Sequence, residues 1–530
     1  MLHKKENPMY PEHFIDLIKN RIKKDWIFAF GSAFFTGLII HLFRLTNHLL
    51  TWDSVYNFHD SQNIIHLGRC FLTLSCGIGS YYDLQWVNGL LSLVYLSLTC
   101  VCLTEIFSLR GRVSIFLISA LTVSFPTVAS TFAYMYTADG YFLAMLFVTL
   151  AVLFTIRCRK GWIGGLFLIA AAYGSYQAYI SYAIMLILTW TILQLLFTET
   201  TVKETLRYWG RFLLMGGLGT AFYLICNKIL SAIEGVAASD YNGISTMSLP
   251  DGPRLVQAVK DCVIDFVYFF FGPLDAMNLY KILNAALMIL LAALLIRLVL
   301  RSKIYRTPSR FVMILLCLIA IPFVCSIIYF LSPEVRYYML MYAGFSLIYM
   351  LPVLLYDKTF SKNVSGKGMT SDKDQLVAAP VLGAPASWLC VLLTVVTVFN
   401  FALISNISYL YMKASNEMTF ALTNRMVDRI EQLENYDSLE KLCVIGHFED
   451  YDRISLNLPP AMAGIRDSYF ISEQAHFAAM MDTYFGLKLE NCSDEERAKI
   501  QTDDTFKQMG CWPAKDSVMQ IGDTAVIRIE

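Results

Sequence analysis

Long apolar runs recur along most of the chain and are separated by short polar segments. A helix needs about 20 mostly apolar residues to cross the hydrocarbon core of a bilayer. Runs of that kind lie near 26–46, 84–108, 113–133, 141–157, 162–176, 180–197, 212–230, 279–300, 311–331, 338–356 and 386–411. The pattern therefore predicts a polytopic α-helical membrane protein with about eleven transmembrane helices. The apolar stretch Phe266–Gly272 is too short to span a bilayer, so it predicts a re-entrant or interfacial element.

The composition supports this prediction and excludes several other classes of protein. The 530 residues are 56% hydrophobic and only 16% charged, whereas soluble globular domains contain about 25% charged residues. A disordered chain, a disulfide-rich secreted module and a coiled coil are thereby excluded. Lys and Arg together number 42, as do Asp and Glu, so no general basic field indicates a nucleic-acid partner. The partner that the composition predicts is the lipid bilayer.

The basic residues predict how the chain is oriented in the membrane. They precede the first apolar run and recur in every second loop, as at Arg110, Arg157 and Arg301, whereas the loops 134–140 and 177–180 contain none. Short loops rich in Lys and Arg stay in the cytoplasm. We therefore expect a cytoplasmic N-terminus and, with an odd number of crossings, an extracytoplasmic C-terminus.

Residues 1–411 then form a multi-pass membrane domain, and residues 412–530, called the tail below, form an extracytoplasmic α/β domain. Two further outward segments are 47–83 and 231–278, and the polar inward segment 357–385 is predicted to be a flexible linker. Within the tail, the pattern predicts helices at 412–434, 473–486 and 494–508, a strand at Lys441–Gly446, and a terminal hairpin of Ser517–Ile521 and Ala525–Ile529.

The first outward segment contains the residues best suited to chemistry. It carries Asp53, Asn57, Asp60, Gln62 and Arg69. A carboxylate in a low-dielectric environment can act as a general base toward an acceptor hydroxyl, and a guanidinium offers fixed donors to a phosphate leaving group. The set suits a sugar–phosphate substrate. The alternative is an ordinary solvated loop in which these side chains cap short helices.

Three further outward clusters add possible substrate-binding residues, namely Tyr136 with Asp139, Tyr176 with Gln177, and Glu334 with Arg336. Each has a simpler explanation: Asp139 can cap the following helix, tyrosines commonly anchor a protein at the membrane interface, and Glu334 and Arg336 can pair with each other. All of these clusters fall at the predicted outer ends of helices. A site there has no access to cytosolic nucleotides and needs an activated substrate delivered through the lipid.

The 13 cysteines do not have metal-ligand spacing, and most lie inside apolar runs. Cys443, Cys492 and Cys511 lie in the tail, where an oxidising environment allows one pair to be bridged and leaves one thiol over. The sequence does not assign the pair. It also contains no clear set of metal ligands, so a dependence on a divalent cation stays open.

Several short motifs resemble one family across most of the chain. They are Asp53–Asn57 (DSVYN) with Gln62-Asn63 and Gly68-Arg69, Ala133–Tyr141 (AYMYTADGY), Tyr176–Tyr179 (YQAY) and Gly510–Pro513 (GCWP). The sequence resembles the bacterial membrane glucosyltransferase family of the O-antigen-glucosylating type, in the GT-C class of integral membrane glycosyltransferases. Cys70 departs from the pattern, because the family leads us to expect tryptophan there.

The resemblance implies a GT-C-like fold and a hexosyltransferase of the bacterial plasma membrane. It implies transfer of glucose from a polyprenyl-phosphate donor to a cell-surface polysaccharide on the outer face. The family places an essential acidic residue in the first outward loop, which assigns the role of base to Asp53 first and to Asp60 second. In-line attack on the donor would invert the anomeric centre. A lipid-linked glycan transporter or flippase and a polysaccharide polymerase are the alternatives, and a structural or receptor role explains least.

Overall fold

The computed structural model describes residues 19, 21–243, 246–248, 250–272, 279–332, 334–364, 383–448, 462, 465, 469–471 and 473–530. Up to the tail, its helices are α1 (Lys24–Thr46), α2 (Trp52–Tyr56), α3 (Leu72–Cys76), α4 (Gln85–Ile106), α5 (Arg112–Ser124), α6 (Pro126–Phe132), α7 (Met135–Arg157), α8 (Gly161–Ser175), α9 (Tyr179–Phe197), α10 (Val202–Glu234), α11 (Gly252–Phe271), α12 (Tyr280–Ser302), α13 (Pro308–Cys325), α14 (Ser346–Val364) and α15 (Ala384–Glu431). Short 3-10 helices include Ile65–Leu67, Gly77–Gly79, Tyr241–Gly243, Ile327–Phe330 and Met339–Phe345.

Within the described part of the chain, nine helices are long and apolar enough to cross a membrane. They are α1, α4, α7, α9, α10, α12, α13, the segment Met339–Thr359, and the apolar part of α15. The predicted run 113–133 is a bent pair, α5 and α6, which meet at 40° where Pro126 begins the second helix. The run 162–176 is the fifteen-residue helix α8. The protein is thus a polytopic helical membrane protein, and the count of eleven crossings stays a prediction.

The centre of the helical part is α7, which packs along α4 on one side and α8 on the other. On the next layer, α1 crosses α4 so closely that a Cβ on Gly89 would lie 2.0 Å from a methyl carbon of Leu45. Glycine allows this approach because it has no side chain, as is common where membrane helices pack. The helices α7 and α9 are largely buried inside the protein, whereas α1 and α10 present apolar surface outward.

Two predicted segments lie at the ends of helices. Phe266–Phe271 form the end of the twenty-residue helix α11, and the re-entrant or interfacial placement of this stretch stays a prediction. The first part of the predicted linker 357–385 is wrong, because α14 continues to Val364. The middle of that linker, 365–382, lies outside the described residues.

The tail begins within a helix, because α15 runs without a break for 48 residues across the predicted boundary between 411 and 412. Beyond it lie β1 (Lys441–Ile445), α16 (Gln474–Phe485), β2 (Glu490–Asn491), α17 (Asp494–Thr502), α18 (Asp504–Gln508), β3 (Val518–Ile521) and β4 (Thr524–Arg528). The predicted single helix 494–508 is two helices, because Asp503 ends the first and caps the second by accepting from the Thr505 N–H.

The four strands form one sheet in the order β2-β1-β4-β3, in which β1 is parallel to both of its neighbours and β3 and β4 form the predicted hairpin. Its core is shared with α15 and α16. Leu50 and Val55 are buried in that same core. Both come from the segment 47–83, called the first polar segment below. The tail therefore packs directly on the segment that carries the candidate catalytic residues.

Candidate active site beside the first polar segment

The helix α2 places Asp53 in its first turn. Two side chains fix the start of this five-residue helix: the Ser54 N–H donates to the Thr51 hydroxyl at 3.4 Å, and the Thr51 N–H donates to the Ser54 hydroxyl at 3.3 Å. A helix this short has almost no stability of its own, so such a capping box contributes much of what holds it. The local sequence TWDS therefore determines the direction in which Asp53 leaves the backbone.

The position of α2 is set by the tail. The side-chain amide of Asn416 in α15 accepts from the Leu50 N–H at 2.7 Å and donates to the Leu50 carbonyl at 2.9 Å. At the other end of α2, the ring of Tyr56 lies 5.6 Å from the ring of His476 in α16. Two elements of the tail thus hold the short helix from both ends.

The Asp53 carboxylate is half-buried and makes no hydrogen bond or ion pair with any residue that the structure describes. Burial raises its pKa, and the nearby positive charge of Arg69 partly opposes this shift. A carboxylate whose charged form is poorly solvated is a stronger base than one in water. Asp53 is therefore both available to accept a proton and suited to do so.

Arg69 lies beside two stacked aromatic rings. Its Nη1 donates to the hydroxyl of Tyr141 at 2.7 Å, and its Cζ lies 5.7 Å from the ring centroid of Tyr141 and 5.8 Å from that of Tyr176. The two rings stack on each other at 4.4 Å. A guanidinium has five N–H donors, and most of these make no hydrogen bond within the described structure, so the group can bind an anion such as a phosphate.

The backbone that carries Arg69 is held by Gln177 and Tyr223. Gln177 Nε2 donates to the Leu67 carbonyl at 2.8 Å, and the Tyr223 hydroxyl donates to the Gly68 carbonyl at 2.9 Å. Gly68 has a φ of +71°, and a Cβ there would lie 2.4 Å from Gln177 Nε2 and 2.7 Å from the Tyr223 hydroxyl. The amide of Gln177, predicted to line the substrate groove, is thus engaged in positioning the backbone next to Arg69.

Tyrosines surround Asp53 and Arg69. Tyr136 is buried and lies close enough to both for their charges to act on it. Tyr241, in the 3-10 helix of the segment 231–278, has its pKa raised by burial and then by Tyr338, and it also feels the charges of Arg69 and Asp53. Tyr223, Tyr241 and Tyr338 were not predicted as site residues, and Tyr141 was not predicted as the partner of Arg69, although it ends the motif Ala133–Tyr141.

Asn57, Asp60 and Gln62 bond mainly to one another and to the loop backbone. Gln62 Nε2 donates to Asn57 Oδ1 at 2.9 Å, and Asn57 Nδ2 donates to the Asp53 carbonyl at 2.5 Å. Asp60 Oδ1 accepts from the Gln62 N–H at 2.6 Å. For these three residues the structure favours the alternative of a loop stabilised by its own polar side chains.

Asp139 lies behind the site. It is completely buried, and the alternative that it caps a helix is wrong, because α7 begins four residues earlier at Met135. Its Oδ1 accepts from Asn88 Nδ2 at 3.2 Å, and its Oδ2 faces Gly79, where a Cβ would lie only 2.5 Å away. Asp139 thus bonds to α4 and packs closely against the loop between α3 and α4, and its Oδ2 makes no hydrogen bond within the described structure.

Glu334 and Arg336 are exposed, and they alternate with the buried Val335 and Tyr337 on an extended segment. This segment packs beside the 3-10 helix that carries Tyr241, since a Cβ on Gly243 would lie 3.2 Å from Cβ of Glu334. The two charged side chains therefore lie at the edge of the tyrosine-lined region, and their part in substrate binding stays a prediction. In the described part of the chain, no group of three or more His, Cys, Asp or Glu side chains is arranged to hold a metal ion.

A family model described as Glucosyl transferase GtrII matches residues 42–363. The chain belongs to the GtrII glucosyltransferase family. The match confirms the resemblance to glucosyltransferases of the O-antigen-glucosylating type. No curated protein and no solved structure matches the chain.

Membership of the GtrII family makes this protein a multi-pass membrane glycosyltransferase, with a sugar donor and a glycan acceptor as its substrates. The matched range contains Asp53, Arg69, the tyrosines around them and every other site residue predicted from the sequence. It ends before α15, so that Asn416 and the tail lie beyond it.

Proposed function

We propose that this GtrII-family protein transfers glucose from a polyprenyl-phosphate donor to a cell-surface glycan, with inversion, at the outer face of the bacterial plasma membrane. The observation that supports this most is that a half-buried Asp53 carboxylate without a hydrogen bond lies within the electrostatic reach of Arg69, whose guanidinium lies beside the rings of Tyr141 and Tyr176. The first group can remove a proton, and the second can receive a phosphate. Transfer of a sugar from a lipid phosphate to a hydroxyl needs both.

In the proposed reaction, Asp53 takes the proton of an acceptor hydroxyl while the oxygen of that hydroxyl attacks the anomeric carbon of the donor. The bond from that carbon to the phosphate oxygen breaks, and polyprenyl phosphate leaves with one more negative charge. Arg69 stabilises that charge, which increases as the bond breaks. Since the acceptor attacks opposite the leaving phosphate, a β-linked donor gives an α-linked product.

Asp60 is the weaker alternative for the base. Its carboxylate already accepts a hydrogen bond from the Gln62 N–H of the loop backbone, whereas a general base needs its oxygens free for the acceptor hydroxyl. This hydrogen bond, two residues along the chain, also makes Asp60 part of the structure of the loop. Asp53 has neither constraint.

The tail, as the proposed extracytoplasmic unit, contributes to the site through α2. Its helices α15 and α16 contact the residues on either side of Asp53, and its core includes Leu50 and Val55. We propose that this arrangement places the tail where it forms one wall of the acceptor groove. Truncation near Met412 would then change acceptor choice, and it would also lower the reaction rate because Asn416 is lost with the tail.

The direct test uses purified full-length protein, polyprenyl-phosphate glucose and an extract of envelope glycans as acceptor. Release of polyprenyl phosphate and the appearance of glucosylated glycan are measured for wild type, Asp53→Asn and Asp60→Asn. We expect Asp53→Asn to lose transfer and Asp60→Asn, the matched carboxylate control, to retain most of it. Full transfer by Asp53→Asn would contradict the assignment of the base, and loss only in Asp60→Asn would transfer that role to Asp60.

A further inference from the structure

Two cysteines of the tail lie side by side on neighbouring strands. Cys443 is in β1, and Cys492 directly follows β2. The register pairs Lys441 with Glu490 and Leu442 with Asn491, and the Cys492 N–H continues it by donating to the Leu442 carbonyl at 3.0 Å. Paired strands are about 4.8 Å apart, and bridged cysteines have Cα atoms about 4.4–6.8 Å apart. The backbone therefore holds this pair at a distance that a disulfide can span.

Their side chains share the same small core. Cys443 is fully buried and Cys492 is 6% exposed, and both belong to one hydrophobic cluster. Side chains that surround them, such as Ile500 and Phe506, are apolar. Cys511, the third cysteine of the tail, is exposed. The geometry thus distinguishes one pair from the three pairings that the sequence allows.

Bridging this pair would leave Gln474 with hydrogen-bond partners at both ends of its amide. Gln474 Oε1 accepts from the Cys492 thiol at 3.2 Å, from the Val444 N–H at 3.1 Å and from Arg497 Nη2 at 3.0 Å. If the thiol hydrogen is lost, the last two donors remain. Gln474 Nε2 keeps its hydrogen bond to the Cys492 carbonyl at 3.1 Å.

We propose that Cys443 and Cys492 form a disulfide that closes the β1–β2 edge of the tail sheet. This rests on the proposed extracytoplasmic location of the tail, because disulfides persist in oxidising compartments. The oxidant is a protein disulfide of the thiol-oxidoreductase class. One cysteine thiolate of the tail attacks the S–S bond of the oxidant and forms a mixed disulfide. The second cysteine then attacks this mixed disulfide and releases the oxidant. Two thiols are oxidised to one disulfide, and the oxidant leaves as a dithiol that carries both hydrogens.

The oxidation has to occur during folding. In the closed structure, burial raises the pKa of the Cys443 thiol, and the neighbouring Cys492 raises it further. A thiol that stays protonated and buried reacts slowly with an oxidant. The bond closes a loop of about 50 residues, so it restricts the unfolded tail more than the folded one.

The experiment uses peptide mass spectrometry to determine which cysteines of the full-length protein are bridged and which are free thiols. Intact cells receive a membrane-impermeant maleimide, and the protein is then denatured and alkylated with a second maleimide, with or without reductant. We expect the peptides of Cys443 and Cys492 to appear linked and lighter by two hydrogens without reductant. After reduction both should be alkylated. The variant Cys443→Ser should free Cys492 for alkylation without reductant, whereas Cys511→Ser should leave the linked peptide unchanged.

Two exposed cysteines report the location of the tail separately. Cys511 belongs to the tail, and Cys158 lies in the loop between α7 and α8, on the predicted cytoplasmic side. Suppose that the impermeant maleimide reaches Cys511 from outside the cells. Alkylation of Cys443 and Cys492 without reductant would then contradict the disulfide but not the extracytoplasmic location of the tail. If Cys158 were reached from outside and Cys511 only after permeabilisation, the proposed location would fail. A linked peptide containing Cys511 would overturn the pairing.

Discussion

Asn416 makes two hydrogen bonds to the backbone of Leu50, although the residues lie 366 positions apart in the chain. Leu50 directly precedes the capping box of α2, three positions before Asp53. An amide that bonds to both the N–H and the carbonyl of one buried residue fixes the rotation of that segment as well as its distance. The proposed base is therefore oriented by a side chain that lies outside the part of the chain matched by the GtrII family.

Replacing Asn416 should impair catalysis more than folding. Asn416→Leu keeps the branched shape of the side chain but leaves the Leu50 N–H and carbonyl unbonded, at a cost of about 1–3 kcal/mol. We expect kcat to fall roughly 10- to 100-fold because α2 shifts, with a smaller change in the donor KM. Asn406→Leu is the matched control, since Asn406 on the same helix donates to the Ile40 carbonyl at 3.1 Å, far from α2. An equal loss of kcat in both variants would contradict a positioning role for Asn416.

Gly68 and Gly235 provide a paired test of how Arg69 is positioned. Both have a positive φ, but a Cβ on Gly235 meets nothing within 4 Å, whereas one on Gly68 collides with Gln177 and Tyr223. Alanine costs about 1 kcal/mol at either position through backbone strain. We expect Gly68→Ala to lose most glycosyl transfer and Gly235→Ala to lose little. Similar kcat/KM values for the two variants would show that the contacts with Gln177 and Tyr223 do not matter.

The guanidinium of Arg69 should not be replaceable by another cation. Arg69→Lys keeps the charge but loses the planar group with several N–H donors, one of which binds the Tyr141 hydroxyl. We expect Arg69→Ala to reduce kcat about a hundredfold and Arg69→Lys to recover only a minor part of the loss. Arg425→Ala removes a comparable cation–ring contact with Trp512 in the tail and serves as the control. Wild-type kcat in Arg69→Lys would refute the requirement for a planar group.

The pH profile should report the environment of Asp53. Its carboxylate accepts a proton only when ionised, so kcat should rise as the pH increases through its pKa, which burial places above the ordinary aspartate value. Arg69 lowers that pKa, so Arg69→Gln should shift the rising limb of the residual activity to higher pH. Arg425→Gln should leave the limb in place. A limb that moved to lower pH in Arg69→Gln would contradict the assignment of Asp53 as the titrating group.

Much of the fold follows from the sequence because membrane helices and hairpins are encoded locally. The apolar runs correspond to helices, and the terminal hairpin turns where Gly522 and Asp523 predict it. The apolar run 386–411 and the helix at 412–434 were both predicted, but as parts of two domains, because the change from apolar to polar residues resembles a domain boundary; the structure joins them in one helix.

The candidate site was predicted less completely. Asp53 and Arg69 were identifiable because a carboxylate and a guanidinium beside an apolar run are unusual. The roles of Gln177 and Asp139 depend on which atoms face them in space, namely the backbone at Gly68 and the gap at Gly79. No local pattern contains that information, and the same holds for the contact between Asn416 and Leu50.

The continuity of α15 links the chemistry to the membrane itself. At about 1.5 Å per residue, its 48 residues form a rod of about 70 Å, more than twice the thickness of a hydrocarbon core. A helix anchored in lipid changes its tilt when the bilayer becomes thicker or thinner, and the far end of a rigid rod then moves furthest. Asn416 lies on that rod and holds the segment before Asp53, so we expect the reaction rate to depend on the thickness of the bilayer.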